Sequence, residues 1–455
     1  MKKTVALVVS LDTKSEEAKL AKDLLEGQDL RVITMDVGTG FGGRPAFVPD
    51  YPAEELARAA GTTLSEILAM GWEPRGPMAP LGRMGAGAST FMGGMSAGMA
   101  TFMGWMSAGA SGVAARLYAE GKLHGIFSLG GTLGTHMATA VMRSLPLGIP
   151  KIMVSTAASG DVRSWVGTKD IVMISSTADI AGLNRITRNS LRKATGAMCG
   201  MMLMDEEPLS HKPLIAVTAL SSSTEGAMRV KARLEEKGFE VVVFHAIGMG
   251  GRTMEELVLE GKIQGVFDMS TNEVLDHLYG GMADAGPDRL EGAGKMGLPY
   301  LVAPGNLDLF LYTSLENMPE QFKDRKVFRH GTHIYVIPSK KTEMEAVGAV
   351  IAEKLNKAKG PTAVIFPLKG FSFGSTHIDK EEFGDPEPKY LLLETLKKQL
   401  RPDIKIIECE LHVNEEEFAC RAADVYSELY AIGTARHRTH PSPVGRPARV
   451  DVAQL

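Results

Sequence analysis

A chain of 455 residues, 44% hydrophobic and 23% charged, can bury two or three domain cores, which excludes a disordered chain. Its 50 Lys plus Arg against 54 Asp plus Glu leave a net charge of -4, so no overall positive field exists for nucleic acid or an anionic membrane, and neither is expected as a partner. Cys199, Cys409 and Cys420 lack a CxxC spacing, which argues against a disulfide framework or thiolate metal site and fits a reducing cytoplasm.

Met1-Lys2-Lys3 and a short apolar run, with Asp12 and Lys14 close behind, read as a first core strand rather than a signal peptide. Residues 4–10 form that strand, 11–14 a polar loop, and 15–26 a helix with Thr13-x-x-Glu16 as a capping box. Strand 31–37 runs into Gly40-Phe41-Gly42-Gly43-Arg44. After an insertion over 82–115 come a strand at 125–129, a helix from His136 and a strand at 151–154. Near 205–213, Asp205-Glu206-Glu207-Pro208 and His211-Lys212-Pro213 break the pattern, dividing the chain into 1–205 and 206–432. In the second part, strands are expected at 214–220, 240–245, 362–366 and 405–408. Helices are expected at 226–237, from a Thr342-x-x-Glu345 cap, around 391–400 and from Glu415, before a disordered tail over 433–455.

The chain repeats itself. Gly40–Arg44 matches Gly248-Met249-Gly250-Gly251-Arg252, Leu117–Phe127 matches Leu257–Phe267 around a shared Glu-Gly-Lys, and Gly148-Ile149-Pro150 matches Gly297-Leu298-Pro299. Three collinear matches point to duplication. Strands alternating with helices then imply an α/β fold: two tandem three-layer domains with mainly parallel sheets.

From 84 to 115 the insertion is uncharged, and Thr90-Phe-Met-Gly-Gly-Met-Ser-Ala-Gly98 recurs at Thr101–Gly109. As a helix it lines up Phe91, Met95, Met99, Phe102 and Met106 opposite small residues. A subunit interface giving a homodimer or higher homo-oligomer, a buried core helix and a membrane span all remain open, in that order of preference.

Ligands of parallel sheets bind beyond the strands' carboxyl ends. The first candidate there is the loop over 128–135, with Gly130, Gly131, Thr132, Gly134 and Thr135 offering backbone N–H groups and hydroxyls to an anion ahead of a helix. It fits neither Walker A nor GxGxxG. The second is Ser155, Thr156, Ser159, Gly160 and Asp161, where Asp161 would hold magnesium beside a phosphate or simply make a turn. Asp179 and Arg185 form a third, and the two glycine turns a fourth, with Gly40, Arg44, Gly250, Gly251 and Arg252 suited to phosphate or carboxylate. Glu225, His245, Asp268 and Asp308 are candidate catalytic groups at strand ends, while Ser270-x-x-Glu273 reads as a capping box.

Leu11-Asp-Thr-Lys14, Ser128-Leu-Gly-Gly-Thr132, Met153-Val-Ser-Thr-Ala-Ala-Ser-Gly-Asp-Val162, Asp179-Ile-Ala-Gly-Leu-Asn-Arg185 and Ala285-Gly-Pro-Asp-Arg-Leu290 resemble motifs of a bacterial and fungal family. That family also forms the N-terminal, ATP-binding region of a tomato mosaic virus resistance protein. The resemblance, over most of 1–430, implies two Rossmann-like domains, ATP binding with Asp12, Thr13 and Lys14 among the contacts, and self-association. The expected protein binds ATP and magnesium and acts on a small phosphorylated or carboxylate metabolite in an interdomain cleft. The alternative is a non-catalytic nucleotide sensor or protein-interaction module, since no Walker lysine, triad or metal cluster is evident.

Overall fold

The computed structural model describes residues 2–38, 43, 45–69, 88–204 and 210–439, and over 88–99, 375 and 436–439 the backbone course alone. Gly40 and Arg44, the 82–87 part of the insertion, 205–209 and 440–455 lie outside the described residues. The chain divides into two compact units, Met1–Pro208 and Leu209–Leu455.

In the first unit, β1 (Thr4–Val9), β2 (Arg31–Asp36), β3 (Gly125–Gly130), β4 (Lys151–Ser155) and β5 (Val172–Ser175) form a parallel sheet of order β2-β1-β3-β4-β5. Every residue of β1 is buried. Ala6 and Val8 enter one core cluster with Ile33, Ile126 and Met153, while Val5, Leu7 and Val9 enter another with Phe127, Ile152 and Val154. A strand covered on both faces must be apolar at every position, which is why Thr-Val-Ala-Leu-Val-Val reads as one run. Helices Ala88–Ala119 and Thr132–Arg143 supply the first cluster, and Leu11–Glu26 and Arg185–Leu203 the second, giving three layers.

The second unit repeats the plan. Its β6 (Leu214–Ala219), β7 (Glu240–His245), β8 (Gly265–Ser270) and β9 (Tyr300–Gly305) are followed by β10 (Leu309–Tyr312), β11 (Phe328–His330), β12 (Ile334–Pro338), β13 (Thr362–Pro367) and β14 (Lys405–Cys409). The parallel sheet runs β7-β6-β8-β9-β13-β14, which is the first sheet's winding with one strand added. The internal matches fall on corresponding strands, so the topology agrees with duplication. Strands β10, β12 and β11 make a small antiparallel sheet between β9 and β13 in the chain. Helix Glu416–Thr439 continues through 433–439, residues expected to be disordered.

The inserted helix serves, from Phe102 onward, as core. Phe102 is 1% exposed and Met106 0%, both packed with Ala110, Val113, Ala114 and Leu117 in the first unit's cluster. The association stripe is thus corrected at these two positions: their side chains face their own sheet. Phe91, Met95 and Met99 fall where side chains are not described. The small-residue face also finds a neighbour within the unit, because a Cβ on Gly109 would overlap the Leu56 carbonyl of helix Ala53–Ala59. Gly104 has nothing within 4 Å of its Cβ position. Gly109→Ala is therefore expected to destabilise the protein by roughly 1–3 kcal/mol through overpacking. Gly104→Ala should be neutral or stabilising by up to about 1 kcal/mol, as helix propensity dictates. Chemical denaturation of both variants checks this; equal effects would overturn the packing of the two helices.

Candidate functional site

A sheet wound 2-1-3-4-5 changes direction between its first and third strands, and the loops leaving those strands part to open a crevice at their carboxyl ends. In the first unit these strands are β1 and β3, followed by 10–14 and 130–135. Two expected sites, Asp12-Thr13-Lys14 and the 128–135 loop, therefore meet at one edge, with 155–161 beside them after β4.

The local geometry differs from the expected loops. Residues 11–14 form a helical turn, capped by Ser10 without a side-chain bond, and a break at Lys14 (φ -129°, ψ 30°) separates it from the helix proper, so Thr13 and Glu16 make no capping box. Asp36, at the end of β2, accepts from Leu11 N and Gly38 N, each at 2.9 Å, tying the loops after β1 and β2 together. Burial pushes its carboxyl up, the two N–H bonds hold it down, and Asp12 pushes it up further. A Cβ on Gly38 would stand 2.7 Å from Asp12 Oδ1, so this turn needs glycine.

After β3 the helix begins at Thr132, four residues before His136, with Gly131 as its cap. Thr132, Leu133 and Gly134 thus supply first-turn N–H groups, which have no acceptor within a helix. Gly131, Thr132, Leu133 and Gly134 are all at least partly exposed, and a Cβ on Gly134 would meet nothing within 4 Å. Thr135 and Ser155 are different. They are fully buried and share a 2.7 Å hydroxyl contact, Thr135 Oγ1 donates to Gly131 O at 2.8 Å, and Thr156 N donates to Gly130 O at 3.2 Å. These bonds join the β3 and β4 loops, so Thr135 and Ser155 frame the crevice rather than face it.

Thr156 is partly exposed and lies 3.9 Å from a Cβ built on Gly131; Ser159 and Gly160 are exposed. Both Asp161 oxygens are engaged by Arg163, with Nη2–Oδ2 at 2.7 Å, and this partner holds the carboxyl down at about 2. Asp179 and Arg185 are exposed beyond β5, where Asn184 N-caps the following helix. Glu17, which drew no functional reading, is buried and accepts from Gly182 N at 2.7 Å.

At the second unit's glycine turn, the acceptor is protein. Gly248 (φ +87°) caps helix Met249–Leu259, and the Glu273 carboxylate accepts from Gly248 N at 2.7 Å and Gly251 N at 3.1 Å. Arg289 donates to the same carboxylate from Nε at 2.6 Å, to Glu255 from Nη1 at 3.2 Å, and to the two oxygens of Asp268 from Nη1 and Nη2. Tyr300 Oη and Thr218 Oγ1 complete the bonds to Asp268.

Residues singled out in the sequence have partners in or beside this cluster. Glu273 does not cap the helix it stands on; its carboxylate serves the start of helix Met249–Leu259 instead. Asp268, 0% exposed and saturated, is not placed to exchange protons with a ligand. Gly250 and Gly251 are there because a Cβ would overlap His245 O or the Glu273 carboxylate, and Arg252 donates to Ala285 O at 3.2 Å. Burial pushes Glu255 and Glu273 up against the pull of Arg289, whose own guanidinium is held well above its ordinary value by the carboxylates despite burial. Glu225 lies exposed on a helix, paired with Arg229 at 2.7 Å, and exposed His245 meets Ala219 O at 3.2 Å, so neither joins the cluster.

Taking Phe127 opposite Phe267 as the repeats require, Leu133 stands where the second unit has Glu273, and it is 45% exposed. The halves share a winding but differ in what the strand ends offer an anion.

The molecule is thus a duplicated, doubly wound α/β protein with one strand-end turn satisfied internally. The chain belongs to the uncharacterised protein family UPF0261: its N-terminal domain model matches residues 3–207 and its C-terminal domain model 212–430. A UPF0261 protein of Clostridium tetani is 39% identical over 93% of this chain and 98% of its own. The ToMV resistance protein Tm-1 of Solanum lycopersicum is 35% identical over 68% of this chain and 42% of its own length. A Streptomyces glycosyltransferase structure complexed with thymidine diphosphate covers 95% of this chain and 99% of its own at 12% identity and a TM-score of 0.18, too low to bear on function. Among the described residues no helix is long and apolar enough to cross a membrane.

One buried carboxyl near the cluster makes no ion pair among the described residues. Asp276 accepts Ala283 N at 2.9 Å and Leu311 N at 3.5 Å, and burial pushes it from 3.8 up to about 8 against those bonds. The folded state keeps a proton that the unfolded chain releases near 3.8, so this contribution is full below that pH and lost as pH rises through about 8. Across that window the wild type should lose stability relative to Asp276→Asn, which has no such proton. Denaturant midpoints of both proteins against pH measure it; parallel curves would refute the buried neutral acid.

Proposed function

We propose that the chain is a cytoplasmic ATP-binding protein that holds the nucleotide's phosphates at the carboxyl ends of β1 and β3 in its first unit. The observation that carries this reading is the contrast between halves. In the second unit Glu273, a carboxylate on the helix after β8, fills the glycine turn after β7; in the first, the matching position is Leu133, uncharged and 45% exposed, and Gly131, Thr132 and Gly134 beside it at the start of helix Thr132–Arg143 are at least partly exposed. A helix N-terminus favours a phosphate by hydrogen bonding and dipole alike. Lys14 and the hydroxyls of Thr13, Thr132 and Thr156 add charge and donors, and Asp12 packs at the turn. Magnesium, entering with the nucleotide, would reach Asp161 by displacing Arg163.

The bound nucleotide serves chemistry on a small phosphorylated or carboxylate metabolite. Supporting turnover over pure sensing is Asp308, a carboxyl that burial pushes up to about 6, close to the range useful for proton transfer.

Calorimetric titration with ATP, with and without magnesium, tests the site. Binding is expected, and Gly134→Ala should weaken it about tenfold by placing a methyl over the N–H groups, while leaving stability equal or higher. Lys14→Ala should cost roughly 1.5–3 kcal/mol, the range for a charge-assisted bond. No heat at millimolar ATP removes the nucleotide; unchanged affinity in Gly134→Ala moves it elsewhere.

A second copy of the chain is the proposed partner for the part of 84–115 not used in the core. Since Phe102 is buried, Trp105, 36% exposed on the same helix, becomes the probe. Light scattering of Trp105→Glu should show dissociation of a wild-type dimer; a monomeric wild type would end this proposal.

A further inference from the structure

The second unit has a cleft at the carboxyl ends of β9 and β13, the edge at which parallel sheets bind ligands. Its cavity volume is about 50 Å³, and its mouth is open to solvent. Asp308, three residues past β9, lines it with Lys369 and Gly370 after β13, Lys340 at the start of helix Lys341–Asn356, and Lys389 on helix Pro386–Gln399. Phe371 and Met344 add buried apolar wall.

The polar groups are incompletely satisfied. Asp308 Oδ2 accepts from Ser372 Oγ at 2.6 Å, but Oδ1 is inaccessible to solvent and has no hydrogen-bond partner among the described residues. A buried acceptor left unpaired is costly, and native structures keep few of them. Lys340 is paired with Glu382 at 2.9 Å. Among the described residues Lys369 and Lys389 make no ion pair, and Lys389 is half-buried. Burial pulls the Lys389 ammonium down, with Asp308 and Glu410 acting against it. Asp308 is raised by burial, with the Ser372 bond opposing. An unpaired carboxylate oxygen in one cleft with two ammonium groups that make no ion pair among the described residues matches a molecule with an anionic end and a hydrogen-bond donor a few atoms away.

We propose that this cleft binds a small hydroxylated oxyanion, its carboxylate or phosphate held by Lys369 and Lys389 and its hydroxyl donating to Asp308 Oδ1. The apolar wall at Phe371 and Met344 then covers the carbon skeleton, and a cleft of this size admits a molecule well below the bulk of a nucleotide. The site rests on the metabolite part of the proposed function and is independent of the nucleotide part.

The full chain is titrated calorimetrically with glycerate and, in a separate arm, with glycerol phosphate, using inorganic phosphate as the probe without a hydroxylated skeleton. Binding in one of the first two arms is expected, and which arm responds identifies the carboxylate or phosphate source. Lys389→Ala should weaken that binding about tenfold or more. Lys369→Ala should do the same, and its exposed side chain supports no core, so loss of folding cannot stand in for loss of binding. Asp308→Asn should weaken the hydroxylated ligand but not inorganic phosphate. The proposal is overturned if neither arm gives heat at concentrations on the order of 10 mM, well above ordinary metabolite affinities. It is also overturned if affinity is unchanged in both lysine variants, or if phosphate binding survives them and is lost in Gly134→Ala. ATP binding retained while the oxyanion arms fail would sink this site alone; the reverse pattern would sink only the nucleotide.

Discussion

The second unit is organised around one guanidinium. Arg289, 1% exposed, bonds three carboxylates drawn from a strand (Asp268), the helix following that strand (Glu273) and the helix following β7 (Glu255). Removing such a partner leaves uncompensated buried charge, at roughly 3–5 kcal/mol. The neighbouring backbone is shaped to fit. Gly248 turns with positive φ, Gly251 makes room for the Glu273 oxygens, and Gly292, whose Cβ would overlap Glu255, donates its N–H to the same carboxylate at 2.7 Å. The loop bearing Arg289 and the helix start at Met249 are fixed together, and the strand ends with them.

Much of the fold was legible because parallel strands covered on both faces have to be apolar throughout. β1, β6 and β13 announce themselves as runs, and the repeated punctuation after them exposes the duplication. Helix starts were less legible. Thr13-x-x-Glu16 and Ser270-x-x-Glu273 have the right spacing, yet one straddles a break in its helix at Lys14 and in the other Glu273 turns toward Arg289. The Thr342 cap is displaced as well: the helix opens at Lys341, and Glu343 takes the Lys340 N–H at 2.7 Å. Spacing along the chain records which bond a side chain can make, but not which competitor is nearer in space.

The sites divide in the same way. Gly130–Thr132 came forward because strand-end glycines and hydroxyls are local signals, whereas Asp12-Thr13-Lys14 came forward only through the family resemblance; the winding order then places both at a common edge. Arg289 stood in a noticed motif, Ala285–Leu290, but its role depends on partners 16 to 34 residues away and on their burial. Lys369 and Lys389 carried no signal at all, since an ordinary lysine in a charged helix or loop reads as solvated surface. Asp308 was visible only as one carboxylate among several at strand ends.

The bond from Glu273 to its glycine turn has a further consequence. A carboxylate attached to the same chain presents itself to those N–H groups at a fixed effective concentration, which dilution, salt and competing solutes scarcely alter. The second unit's turn is therefore constitutive. Leu133, in the matching place of the first unit, carries no charge and cannot play that part there.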